Sequence, residues 1–197
     1  FIHLDKNRTG IVIGDVSGKG VPAALYMAKL GSDMRTLAFT ERSPAEALMK
    51  LNDLLAERSR RGMFATLLYI ELDALTGRML LSNAGHLPPI IKRKDGSLAR
   101  IAAASGAPLG MMPCMRYEQE TAVLDQGDTV VLYTDGIIEA MNTREELYGY
   151  GRFETLLKRS AAHPGTLKDA IVGDVNRFTG LSPQHDDMTL VCFGAVK

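Results

Sequence analysis

The stretch Gly14-Asp15-Val16-Ser17-Gly18-Lys19-Gly20 constrains this chain more than any other. It follows an apolar run, Ile11-Val12-Ile13, and opens onto an amphipathic segment beginning near Pro22. A carboxylate is thereby set at the end of a buried strand, ahead of a glycine-rich turn and a helix start. Two later stretches, Tyr133-Thr134-Asp135-Gly136 and Asp186-Asp187-Met188-Thr189, place Asp beside apolar β-like runs in the same way. If those strands lie side by side, Asp15, Asp135 and Asp186 converge, and converging carboxylates repel one another unless a cation sits between them. Oxygen-only donors, with no His/Cys ligand set in view, favour Mg²⁺ or Mn²⁺ over zinc. Two such ions about 3.5–4 Å apart lower the pKa of a bridging water and bind a phosphoryl oxygen. The competing reading is plain: Asp before Gly at a strand end is usually just a turn residue.

Apolar spacing assigns the elements. Ala23, Met27, Leu30, Met34 and Leu37 recur at steps of four and three, which predicts one helical face over 22–38. Ser43-Pro44-Ala45-Glu46 reads as a capping box, and Leu48, Leu51, Leu54 and Leu55 give that second helix its stripe. The helix fades over 57–61, where a basic cluster complements its dipole and faces solvent. Strands are expected over 64–72 and 78–83, joined by a hairpin loop at 73–77, and again at 90–93, 117–124, 128–133 and 188–193. Residues 98–115 show no period and read as a mobile segment or a short helix. Phe153, Leu156 and Leu157 mark one late helix, and His163-Pro164-Gly165 reads as a break. Leu167, Ala170, Ile171, Val175 and Phe178 mark the last helix. That order of strands and helices implies an α+β domain with helices packed on sheets.

Composition removes several function classes. The 197 residues suit one domain, and 46% hydrophobic content suffices for a core. Equal counts of 23 basic and 23 acidic residues argue against a nucleic-acid or anionic-membrane binder. No apolar run reaches the roughly 18 residues of a membrane span. Cys114 and Cys192 form no CxxC pair, which points to a reduced, cytoplasmic setting. The Gly14 to Gly20 stretch is no P-loop: three residues, not four, separate Gly14 from Gly18, and Gly20 follows Lys19 where a hydroxyl is needed. Ser17 has no neighbouring base and reads as a turn residue; His86 reads as a hydrogen-bonding structural residue rather than a general acid.

The longer stretch Gly14 to Ala24 resembles the signature of the bacterial SpoIIE-like serine/threonine phosphatases, a branch of the metal-dependent PPM (protein phosphatase 2C-like) class. Phe64-Ala65-Thr66-Leu67, Asn83-Ala84-Gly85-His86-Leu87-Pro88-Pro89, Leu109-Gly110, Tyr133-Thr134-Asp135-Gly136 and Asp186-Asp187-Met188-Thr189 follow in the family's order, over nearly the whole chain. The resemblance implies a PPM-type β-sandwich of two antiparallel sheets flanked by α-helices, in α-β-β-α layers, with residues 1–197 as a single domain. It implies that Asp15 bridges two Mn²⁺ or Mg²⁺ ions, that the carbonyl of Val16 contacts one of them, and that Asp135 and Asp186 complete the other. Asp187 stands behind these ligands. Attack of a water on phosphoserine or phosphothreonine would need no phosphoenzyme. The implied partners are a phosphorylated regulator, commonly a STAS-domain anti-sigma-factor antagonist, an upstream sensor domain, and often a second copy in a homodimer. The two early helices are the implied regulatory switch.

The chain departs from the family at one point. The Gly-Gly-Asp-like acidic motif that precedes this region in the family has no counterpart here, since Asp5 lies on the wrong side of its turn. That departure keeps open a catalytically silent module that binds a phosphoregulator or partner kinase. A metal-dependent nuclease using the same carboxylates is disfavoured by the neutral charge.

Overall fold

The computed structural model describes residues 1–57 and 62–195, so the basic cluster read at 57–61 lies, beyond Glu57, outside the described residues. The chain forms two units, Phe1–Pro88 with Ala102–Val123, and Pro89–Ile101 with the residues from Leu124 onward. Each owns one antiparallel sheet.

The first sheet is built on two nine-residue strands, β2 (Arg8–Val16) and β3 (Ala65–Asp73), paired along their whole length from Arg8↔Asp73 to Val16↔Ala65. β1 (Ile2–His3) lies outside β2, and β4 (Arg78–Ala84) continues beyond β3. Side chains alternate across such a ladder. Val12 and Val16, with Ala65, Leu67 and Tyr69 opposite, form one face and pack into a core with two helices, α1 (Val21–Thr40) and α2 (Pro44–Ala56). Ile11 and Ile13, with Leu68 and Ile70, make the other face, and Asp15 continues that row at its exposed end.

Ser43 caps α2 by accepting the Glu46 N–H at 3.3 Å. The Glu46 carboxylate reaches back to the N–H of Arg42, one residue before the position a capping box uses. The α1 stripe is shorter than its spacing suggests. Leu30, Met34 and Leu37 are buried, whereas Met27 is 37% and Leu25 67% exposed; the first half of α1 meets the core only through the partly buried Ala23 and Tyr26.

The segment read as mobile or helical contains no helix. It begins as a strand and then runs irregularly at 102–119, held by specific bonds. Ala65 and Leu109 exchange two backbone hydrogen bonds of 3.0 and 2.7 Å. Asn52, fully buried on α2, accepts the Gly110 N–H at 3.0 Å and donates to the Met112 carbonyl at 2.9 Å. One amide thus satisfies the irregular backbone that periodicity cannot announce.

The second sheet runs β6 (Leu98–Arg100), β5 (Ile90–Lys92), β8 (Thr129–Tyr133), β9 (Leu190–Gly194), and β7 (Glu120–Val123) belongs to the first sheet beside β4. Consecutive strands β7 and β8 therefore serve different sheets. All five residues of β8 are buried, and around them gather Phe153 and Leu157 of α4 (Gly149–Arg159) and Leu167, Ile171 and Val175 of α5 (Pro164–Thr179). The ring of Tyr133 meets that of Phe153 at 4.8 Å. His163 is no simple break: it is the N-cap of α5, accepting from the Thr166 N–H at 3.5 Å, with Pro164 in the first turn. Lys92 is 2% exposed, and its ammonium donates to the Gly96 carbonyl at 3.1 Å and the Lys158 carbonyl in the last turn of α4 at 3.0 Å. Both cysteines are free thiols. Among the described residues no helix is long and apolar enough to cross a membrane.

Candidate active site

Asp15 stands near the end of β2, directly opposite Thr66. The two strands approach closely there because Gly14 has no side chain: a Cβ would lie 2.6 Å from the Thr66 carbonyl oxygen. Register then fixes the direction of the carboxylate, since a slip of one residue would turn Asp15 into the helix-covered face. Beyond it, Val16 is buried, and Ser17 fastens the exit of the strand. The Ser17 N–H donates to the Phe64 carbonyl, and its hydroxyl accepts the Phe64 N–H, both at 2.9 Å. Ser17 is thus occupied structurally, as expected. Gly18 and Gly20, at φ 96° and 76°, take the left-handed turn into α1.

The Asn83 to His86 motif serves the same place. Asn83 accepts the His86 N–H at 2.8 Å and donates to the His86 and Ala102 carbonyls at 3.0 and 2.8 Å. His86, 5% exposed, is held with Nδ1 2.9 Å from the Thr66 hydroxyl. His86 is hydrogen-bonded, as expected. No spacing signal announces that its partner is Thr66, the residue facing Asp15.

Asp135 opens the one-turn helix α3 (Asp135–Ile138) straight after the buried β8. The structure brings its turn against the segment carrying Asp186. The Thr134 N–H donates to the Thr189 carbonyl at 3.1 Å, the Thr134 hydroxyl donates to the Asp187 carbonyl at 3.0 Å, and the Thr189 N–H donates to that hydroxyl at 2.9 Å. Gly136 permits the contact, because a Cβ there would sit 2.4 Å from the Asp187 carbonyl oxygen. The Asp186 carboxylate takes the N–H of Asp187 at 2.9 Å, which sets its orientation. Gln184 holds the Asp186 carbonyl at 2.7 Å. A cavity of about 160 Å³ opens beside it, lined by Gly136, Glu139, Gln184, His185, Asp186 and Met188 among others. Glu139 escaped the sequence reading, although it lies four residues after Asp135, one helical turn on.

The donor set is all oxygen. Among the described residues no group of three or more His, Cys, Asp or Glu is placed so as to hold a metal ion. Carboxylate oxygens suit a hard ion such as Mg²⁺, which can be held by one or two carboxylates, better than they suit zinc.

Comparison with known proteins agrees with the fold and motifs. The profile of Stage II sporulation protein E (SpoIIE) matches residues 5–195. The chain is 32% identical over 135 residues to the phosphoserine phosphatase RsbU of Bacillus subtilis, covering 68% of this chain and 40% of RsbU. It spans less than half the length of the curated relatives it matches. Among solved structures, the SiaA-PP2C domain of Pseudomonas aeruginosa superposes with a TM-score of 0.83 at 22% identity, over 96% of this chain and 77% of that one. RsbX in complex with magnesium superposes at 0.66 and 16% identity, over 95% and 81%. At those identities the likeness establishes the α+β fold of PP2C-type phosphatase domains, with two antiparallel sheets and helices. With its fold and nearly its whole length accounted for in this way, the chain belongs to the SpoIIE family.

Proposed function

We propose that this chain hydrolyses phosphoserine or phosphothreonine on a regulatory protein, with Asp15, Asp135 and Asp186 and the main-chain carbonyl of Val16 as ligands for two Mn²⁺ or Mg²⁺ ions. The observation that carries this reading is the Thr134 link, which ties the Asp135 turn to the Asp186 segment through one backbone hydrogen bond and two made by the Thr134 hydroxyl. RsbU, a relative named as a phosphoserine phosphatase, supports the reaction class, and RsbX with magnesium supports the metal class. When bound, such ions act as Lewis acids and lower the pKa of water toward neutrality. The chain's own residues supply negative charge at fixed positions: Asp15 from a register-locked strand, Asp135 from a helix start, and Asp186 from a loop oriented by its own Asp187 N–H. In this proposal the substrate is a STAS-type anti-sigma-factor antagonist in the cytoplasm, and the whole protein adds a sensor domain and a homodimer contact.

The test is hydrolysis of para-nitrophenyl phosphate and of a phosphoserine protein against Mn²⁺ concentration, for this chain and Asp135→Ala. Turnover should rise with Mn²⁺ and fall at least about a hundredfold in the variant. Turnover indifferent to both Mn²⁺ and the substitution would overturn the assignment. No turnover in either protein, with or without upstream residues, would leave the fold as a silent phosphoregulator-binding module.

A further inference from the structure

In the second unit, α4 and α5 border a groove of about 640 Å³ whose lining includes none of the carboxylates just described. Arg152, Arg159 and Arg177 line it, and Asp174 is the one carboxylate among the lining residues. Asp174 is fully engaged. It accepts the Tyr148 hydroxyl at 2.7 Å, Arg152 through Nε at 2.9 Å and Nη2 at 3.2 Å, and Arg177 at 3.4 Å. Arg152 is further fixed over the Phe178 ring, 4.8 Å from its centroid. Arg177 remains 75% exposed, and Arg159 makes no ion pair among the described residues. Three guanidiniums facing one satisfied carboxylate leave the groove positively charged. Helix-dipole compensation accounts for Arg159 and Arg177 at helix C-terminal ends, but Arg152 sits in the first turn of α4, where the dipole disfavours a cation, and lines the same groove.

We infer that this groove docks an acidic, Asp/Glu-rich segment of a protein partner. Arg152 and Arg159 are two helical turns apart, about 10 Å, which matches roughly three residues of extended chain. Guanidinium forks donate two parallel N–H bonds to a carboxylate, so a segment with acids at that spacing engages both ends of the groove. The volume exceeds what a lone phosphate needs and suits several side chains. Nucleic acid fits less well: the whole chain is neutral, and the nearby Phe178 and Tyr148 rings are covered by Arg152 rather than open to stacking bases.

The experiment is fluorescence anisotropy of a labelled octaglutamate peptide at low salt, with no activity measurement involved. Arg159→Glu/Arg177→Glu reverses the two guanidiniums that do not build the helix pair. Arg42→Glu/Lys50→Glu makes the same change of net charge on exposed residues of the first unit. The groove variant should bind about tenfold or more weaker while still unfolding in one cooperative melt, the control variant within about twofold, and added salt should weaken the wild-type complex. Equal weakening in both variants, or no binding by the wild type, overturns the inference. So does an oligothymidylate that binds as tightly and with the same dependence on Arg159 and Arg177.

Discussion

The two units present their acidic residues in opposite ways. In the first, Asp15 rides on a ladder of nine paired residues, so its position is over-determined by hydrogen bonds and by buried Ile11, Ile13, Leu68 and Ile70 on its own face. In the second, the paired strands are three to five residues long. There Asp135 and Asp186 emerge from a turn and a loop held by one hydroxyl and one glycine. A carboxylate fixed by a sheet should move only when the fold fails, whereas one fixed by a local clasp can be displaced while the fold survives.

Two glycine substitutions test that contrast with the largest effects. Gly14→Ala and Gly136→Ala each drive a methyl against a backbone oxygen, at 2.6 and 2.4 Å. Urea unfolding should show Gly14→Ala losing about 3 kcal/mol or more, because the β2–β3 ladder must part. Gly136→Ala should lose less stability but most of its Mn²⁺ affinity by calorimetric titration. Equal stability losses with unchanged metal binding would break the comparison.

Replacing the hydroxyls is the intermediate test. Thr134 is 4% exposed and both donates and accepts, so Thr134→Val should cost about 1–3 kcal/mol, with Thr134→Ser recovering most of it. Thr66→Val gives up only the contact to His86 and should cost about 1 kcal/mol. Thermal melts of the four proteins rank them directly.

The smallest effect sharpens the second unit through pH. The hydrogen bond from Arg152, helped by that from Tyr148, holds the Asp174 carboxyl below its ordinary value despite burial. A depressed carboxylate contributes stability that is present above its unfolded pKa, near 3.9, and is lost as pH falls through the folded value. The gap in stability between wild type and Asp174→Asn should therefore be constant from about pH 5 to 7 and close below about pH 4. A gap that widens in acid would mean that the carboxylate is not what joins α4 to α5.

Much of this was legible because it is local. Leu48, Leu51 and Leu55 fall at helical spacing and are buried; the 73–77 loop closes its hairpin, with Asp73 accepting the N–H groups of Leu75 and Thr76. What escaped depends on distant partners. Strand β6 is three residues long, too short for a period, and Asn52 organises residues nearly sixty positions away. Met27 carries the right spacing but stays 37% exposed, while its neighbour Tyr26 packs against the core. At the candidate site the acids could be picked out singly, while the Thr134 clasp and the Thr66–His86 contact needed the fold, since hydroxyl partners leave no spacing signal.

The interleaving of the units bears on how the chain is made. The β5–β6 hairpin leaves the ribosome before β8, the strand that completes its sheet, and residues 101–128 must be synthesised in between. At ordinary elongation rates that is a delay of a few seconds. Through that interval the Ile90–Lys92 edge has no partner, and Lys92, destined to sit under the end of α4, meets water instead. The second sheet is thus begun early and finished late. The growing chain must keep a short hairpin out of trouble until its central strand arrives.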